Sequence, residues 1–400
     1  MAVVLSVDIR FYLRLNISTI KVVKNNRATQ NVAHRMAFLA VAGASLLVGL
    51  AAGASLLGFT WGPAGAAASI ARDHGPLMVF GFVGGAIGLE RAVAVRTSWA
   101  WAGPAFHVLG VVTLLAGLPR AVPAAAFAAS FLVLGAIYTE IYRHRQPMLA
   151  VLVQAVGVLG GVSAAVQWAT TGGFAAAMPL AVLYAVATIL GERMELARLT
   201  MSGARAGGSL AALVLALAAA AVLFLANPAI GYRVMGLTLV ACAARAAQLD
   251  VAKNLVRSTG LPRYTAIAML AGYGWLALGG VFWLAFGPDV TGFAYDASIH
   301  AVFLGFVISM IFAHAPTILT SVIRRKLPYH PALYVPLILL HLGLALRIYA
   351  DLRQYAGAYQ SGGLATILAV LVFLVTGIIL TWKEARHGDR TRPQRTATTA

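Results

Sequence analysis

The sequence predicts an all-helical, polytopic membrane protein, and three observations carry the prediction. Of its 400 residues 60% are hydrophobic and only 10% charged, with a mean hydropathy of +0.84. No soluble domain of this length hides that much apolar surface. The apolar residues fall into twelve runs of about 20 residues, the length that carries a helix across a bilayer's hydrocarbon core. The bases divide by side. With both termini cytoplasmic, Arg72, Arg120, Arg233, Arg347 and Arg353 lie outside and Arg245 lies within a helix, leaving 24 of the 30 Lys and Arg on the inner side. An odd helix count would scramble that asymmetry.

The elements follow in order. Residues 1–35 are a basic, partly amphipathic cytoplasmic arm without the apolar core and small-residue cleavage site of a signal peptide; an interfacial helix or an over-extended reading frame accounts for it. The membrane domain occupies 36–383. Its helices are expected at 37–59, 75–95, 99–118, 122–142, 147–169, 174–191, 208–230, 232–251, 264–286, 296–319, 331–350 and 361–382. The longest internal connection, about 192–207, is too short to fold alone. Residues 384–400 read as a solvated, disordered basic tail. Several even-numbered helices reach the cytoplasm with an acid closely followed by a base: Glu90-Arg91, Glu140 with Arg143, Glu192-Arg193, and Asp250 with Lys253. Either stacked hairpins from one ancestral unit or ordinary interfacial snorkelling produces that pattern.

Charge and cysteine content exclude several classes. The net charge of +18 is spread over many short loops, which marks topology rather than a nucleic-acid surface. One cysteine, Cys242, excludes intramolecular disulfides, covalent c-type haem attachment and cysteine-ligated clusters. Any metal must therefore be held by His, Met or carboxylate.

Nine histidines are present, and five lie in or at the ends of predicted helices. An ionisable group there is a functional candidate. His74 heads the stretch ARDHGPLMVFGFVGGAIGLERAVAV (71–95) at the outer side. At 100° per residue, His74, Met78, Gly81, Gly85 and Gly88 fall on one stripe. Such a stripe leaves room for a neighbouring helix or for a flat cofactor such as haem. Helix 10 carries His300 near its outer end and His314 fourteen residues later, about 21 Å along the axis. His107 on helix 3 and His341 on helix 11 reach the inner level, where with His314 they are candidates for a second haem or a copper. Arg347 and Arg353, at the outer end of helix 11, are candidate partners for haem propionates, since arginine's fork suits carboxylates.

The segment HGPLMVFGF (74–82) resembles the helix-2 signature of haem–copper oxidase subunit I, H-G-x-x-M-x-F, through His74, Gly75, Met78 and Phe80. The twelve-helix count and a helix-10 histidine followed by GFVISM extend the resemblance. It implies haem b held between His74 and His300, with arginines of helix 11 near its propionates. Two departures exclude a standard oxygen-reducing centre: helices 6 and 7 carry no histidine, and Val302 stands where the family's H-x-H pair on helix 10 has its second histidine. The chain is therefore closer to the divergent NnrS-type haem membrane proteins linked to nitric oxide stress.

The resulting expectation is a bacterial inner-membrane b-type haemoprotein. It would pass electrons, with a quinone or cytochrome as donor, or respond to nitric oxide or another small gas. Two axial imidazoles leave iron no open position, which favours electron transfer. The rival is a cofactor-free, proton-coupled transporter using Arg245, Glu90 and the histidines. A structural role beside a neighbouring complex is the third reading.

Overall fold

A computed structural model describes residues 32–59, 70–145, 148–196 and 204–390. Helices occupy all twelve expected places: α1 Val32–Leu56, α2 His74–Val95, α3 Trp99–Leu115, α4 Ala121–His144, α5 Leu149–Thr171, α6 Ala175–Leu196, α7 Ala204–Ala226, α8 Pro228–Leu249, α9 Gly260–Phe286, α10 Gly292–Thr320, α11 Pro331–Arg353 and α12 Ala356–Arg390. Eleven are long and apolar enough to cross a membrane; α3 is shorter. The chain is a multi-pass helical membrane protein. The expected amphipathic arm lies outside the described residues except at 32–35, which already belong to α1. The tail expectation is corrected at its start: α12 continues as helix through Arg390.

Local chemistry sets the ends. Asn227 caps α8, accepting from the Ile230 N–H at 3.3 Å, with Pro228 in the first turn. Gly172 ends α5 at φ +90°, a left-handed turn that a side chain would strain. Neighbours in sequence pack as hairpins, α4 on α5, α5 on α6, α8 on α9 and α11 on α12. Helix α6 is apolar on every side and is buried without a break from Met178 to Gly191, so it forms the axis of the bundle. Leu159, Val222 and Ile378 instead stand two-thirds exposed on the perimeter, where lipid covers them.

Of the acid–base pairs, Glu90-Arg91, Glu192-Arg193 and Asp250 form interhelical clamps, whereas Glu140 pairs with His144 of its own helix and Lys253 bonds the Gln248 carbonyl. Arg91 of α2 meets Glu192 of α6 at 3.0 Å and Glu195 at 3.2 Å, with Glu90 at 3.2 Å. The next residue on α6, Arg193, forks onto the fully buried Asp250 just beyond α8, Nε to Oδ2 and Nη2 to Oδ1 at 3.0 Å each. Tyr273 of α9 donates to the same carboxylate at 2.7 Å, and Arg193 also reaches Nε2 of His314 on α10 at 3.0 Å. Snorkelling toward headgroups does not describe these residues: adjacent positions on α6 tie it to α2 on one side and to α8, α9 and α10 on the other.

Helices α2 and α10 share a local irregularity. Leu77–Gly84 and Ala301–Ile308 are π-helical, and each carries Gly-Phe-Val, at 81–83 and 305–307. An i→i+5 ladder disturbs the ordinary carbonyl pairing. Nε2 of His107 donates to the Gly81 carbonyl at 2.6 Å, and the Ser309 hydroxyl donates to the Gly305 carbonyl.

Removing one partner of the Arg193–Asp250 pair leaves a buried charge without compensation, which costs about 3–5 kcal/mol. Arg193→Ala is expected to lower the thermal unfolding midpoint in detergent strongly, and Arg193→Ala with Asp250→Ala to recover part of the loss. An unchanged midpoint for the single variant would refute the clamp.

Candidate functional site

A cavity of about 840 Å³ opens at the end of the bundle that carries His74 and His300, between α1, α2, α10, α11 and α12. That is within the size range of cofactor sites, about 300–1,000 Å³. Leu50, Met78, Val79, Phe303, Leu304 and Ile367 supply apolar wall, while Arg72, Asp296, Arg347, Asp351 and Tyr359 supply a polar rim. His74 and His300 face each other across it. Their ring centres are 6.4 Å apart and their planes differ by 25°.

Each of these imidazoles is fixed at Nδ1 by a group that can only accept. Nδ1 of His74 donates to the Gly49 carbonyl of α1 at 2.8 Å. Nδ1 of His300 donates to the Asp296 carbonyl one turn earlier at 2.8 Å, with the Asp296 carboxylate Oδ1 at 3.2 Å. The proton of each neutral ring is therefore on Nδ1, and Nε2 keeps its lone pair. Metal-ligating histidines are held in this way, with the second ring nitrogen donating to a carbonyl or carboxylate.

Asp296 is held in turn. Arg347 forks onto it, Nε to Oδ2 at 2.8 Å and Nη2 to Oδ1 at 2.7 Å, and the same Nη2 reaches the Tyr359 hydroxyl at 3.0 Å. Beside this cluster lies the buried Asp351.

Other expected site residues are placed differently. Met78 lines the cavity, but Gly81 and Gly85 do not: a Cβ on Gly81 would meet Ser45 of α1 at 2.9 Å, and one on Gly85 would meet His107 at 2.3 Å. The π-helical stretch winds fewer degrees per residue than the α-helix assumed for the stripe, so the glycines turn toward α1 and α3. Clearance at the imidazole comes from α1, where a Cβ on Gly53 would stand 3.1 Å from Cε1 of His74. Arg347 is at the site with its fork occupied by Asp296. Arg353 is exposed, lies off the cavity wall and rests over the Tyr349 ring at 6.0 Å.

His107, His314 and His341 are not brought together as an inner metal site. Among the described residues no group of three His, Cys, Asp or Glu is arranged to hold a metal ion. His107 donates to Gly81; His314 donates from Nδ1 to the Met310 carbonyl at 2.7 Å and receives Arg193 at Nε2. Nδ1 of His341 accepts from the Trp275 indole at 2.9 Å, which puts its proton on Nε2. Arg245 is likewise accounted for, bonding Ser209 of α7 at 2.8 Å and Gln248 of its own helix at 3.3 Å.

Four contributors went unremarked in the sequence. Gly49 and Gly53 form a G-x-x-x-G pair, the usual signal of close helix approach in membranes. Asp296 stands four residues before His300, on the same helix face. Tyr359 on α12 has no local signal and is found only through the fold.

The profile of a family described as Domain of unknown function (DUF8744) matches residues 35–382. The chain belongs to this family. The match begins at Arg35 in α1 and ends at Trp382 in α12, so it takes in both histidines, Asp296 and Arg347. No curated protein sequence matches the chain.

Proposed function

We propose that this chain is a b-type haem protein of the bacterial plasma membrane, with twelve spans and both termini cytoplasmic, that passes single electrons at its outer side. The observation that carries the reading is the spacing of His74 and His300. A metal–imidazole bond of about 2.0–2.1 Å, plus about 1.1 Å from that nitrogen to the ring centre, would put two imidazoles that share one metal about 6.3 Å apart, centre to centre. The two rings stand at 6.4 Å, each held through Nδ1 by a backbone carbonyl. The wall also fits a porphyrin: it is mostly apolar, and Gly53 gives the His74 ring its space.

Bound haem supplies a one-electron iron couple. The protein's residues do the rest. His74 and His300 would hold the haem, and with two imidazoles committed to it the reading favours electron transfer over nitric oxide chemistry. Val79, Phe303 and Leu304 keep water from the ring. Arg347 is committed to Asp296, so Arg72 at the mouth is the base that suits a propionate. The outer opening fits a donor of the quinol or cytochrome class. Transport has no comparable support, since Arg245 serves the α7–α8 contact.

Protein purified from haem-supplied cells is expected to show a Soret band and a sharp α-band on reduction. His74→Ala and His300→Ala should each abolish the six-coordinate spectrum, and His107→Ala and His341→Ala should retain it. Gly53→Val should lower haem occupancy several-fold at unchanged yield of folded protein. A colourless wild-type protein that takes up no added haem would end this reading.

A further inference from the structure

The two imidazoles are not equivalent. Nδ1 of His74 sees a neutral peptide carbonyl, whereas Nδ1 of His300 has a carboxylate oxygen 3.2 Å away as well as its carbonyl. A carboxylate on that nitrogen draws the N–H proton toward itself and makes the opposite nitrogen a stronger donor to a metal. The carboxylate is itself balanced by the fork of Arg347, at 2.8 and 2.7 Å, with both side chains largely shielded from water. Extra negative charge on a ligand favours the more positive iron state, and the guanidinium offsets part of that preference. Resting on the haem reading above, we propose that Asp296 and Arg347 form a two-part potential control acting through His300: Asp296 lowers the reduction potential and Arg347 limits how far.

Neither residue touches the iron in this scheme, so both are positioning residues. The arrangement makes their effects opposite in sign. Asp296→Asn removes the negative member and leaves the positive one, and should favour ferrous iron about tenfold, a rise of about 59 mV for a one-electron couple. Arg347→Gln removes the positive member and should shift the potential downward by a similar factor.

The test is a redox titration of full-length haem-loaded protein in detergent, with electron paramagnetic resonance of the ferric form. Opposite shifts in the two variants, with a changed ferric g-spread in Asp296→Asn and a near-wild-type spectrum in Asp296→Glu, support the proposal. Shifts of the same sign, or none, overturn it while leaving the haem reading intact. A potential that moves with an unchanged ferric spectrum also overturns it, because charge would then act without passing through His300. If Asp296→Asn does not retain haem, an unmoved potential in Arg347→Gln overturns the proposal by itself. A wild-type protein without haem removes the reading and this inference together.

Discussion

Everything at the cavity end of this bundle depends on where two ring protons are held. Gly49 fixes one from α1, and the backbone of α10 fixes the other from within. Both acceptors are carbonyls, which cannot donate, so the tautomer of each neutral ring follows without further assumption. A histidine with a free choice of tautomer would present either nitrogen to the cavity. Here the choice is made by backbone, which varies less with mutation than a side chain does. The cost is that α1 must approach α2 closely, and Gly49 and Gly53 meet that demand.

Stability and function are separated along the membrane normal. The end of the bundle away from the cavity is tied by charged pairs between helices, centred on adjacent residues Glu192 and Arg193 of the most buried helix. Buried ion pairs contribute little net stability, but they penalise any arrangement that separates the partners. They therefore fix which helices neighbour α6 more than how firmly the bundle holds. At the opposite end, among the described residues, the interhelical pair is Arg347 with Asp296, and that pair touches the cavity. The single deep base that suggested transport, Arg245, joins two helices instead.

Much of this was legible in the sequence. Bilayer thickness and the ban on unpaired backbone in lipid make apolar run length a strong signal, so every helix was located, most ends within about five residues and the end of α12 eight residues short. His74 and His300 were legible as neighbours because alternating helix direction puts the starts of helices 2 and 10 at the same end of the bundle. The glycine track was misread, since the hundred-degree rule assumes a regular α-helix and Leu77–Gly84 is not one. The inner histidines were misread because depth in the membrane does not determine azimuth. Three side chains at one level still faced different neighbours: a carbonyl, an arginine and a tryptophan. Arg347 and Arg353 differ by six residues, which sets them about 120° apart around α11, and only the first turns inward.

The irregular turns beneath the two histidines have a consequence for how the protein can change over time. A π turn amounts to one surplus residue in an otherwise α ladder. Deleting a residue there, in either helix, would restore regular winding at little local expense. It would also swing the helix end above it by roughly a quarter turn or more and carry the imidazole off its mark. These two segments are thus open to exchange of one apolar side chain for another but closed to any alteration of length, and descendants of this chain should keep the spacing of 81–83 and 305–307 from their histidines even where the letters between have drifted.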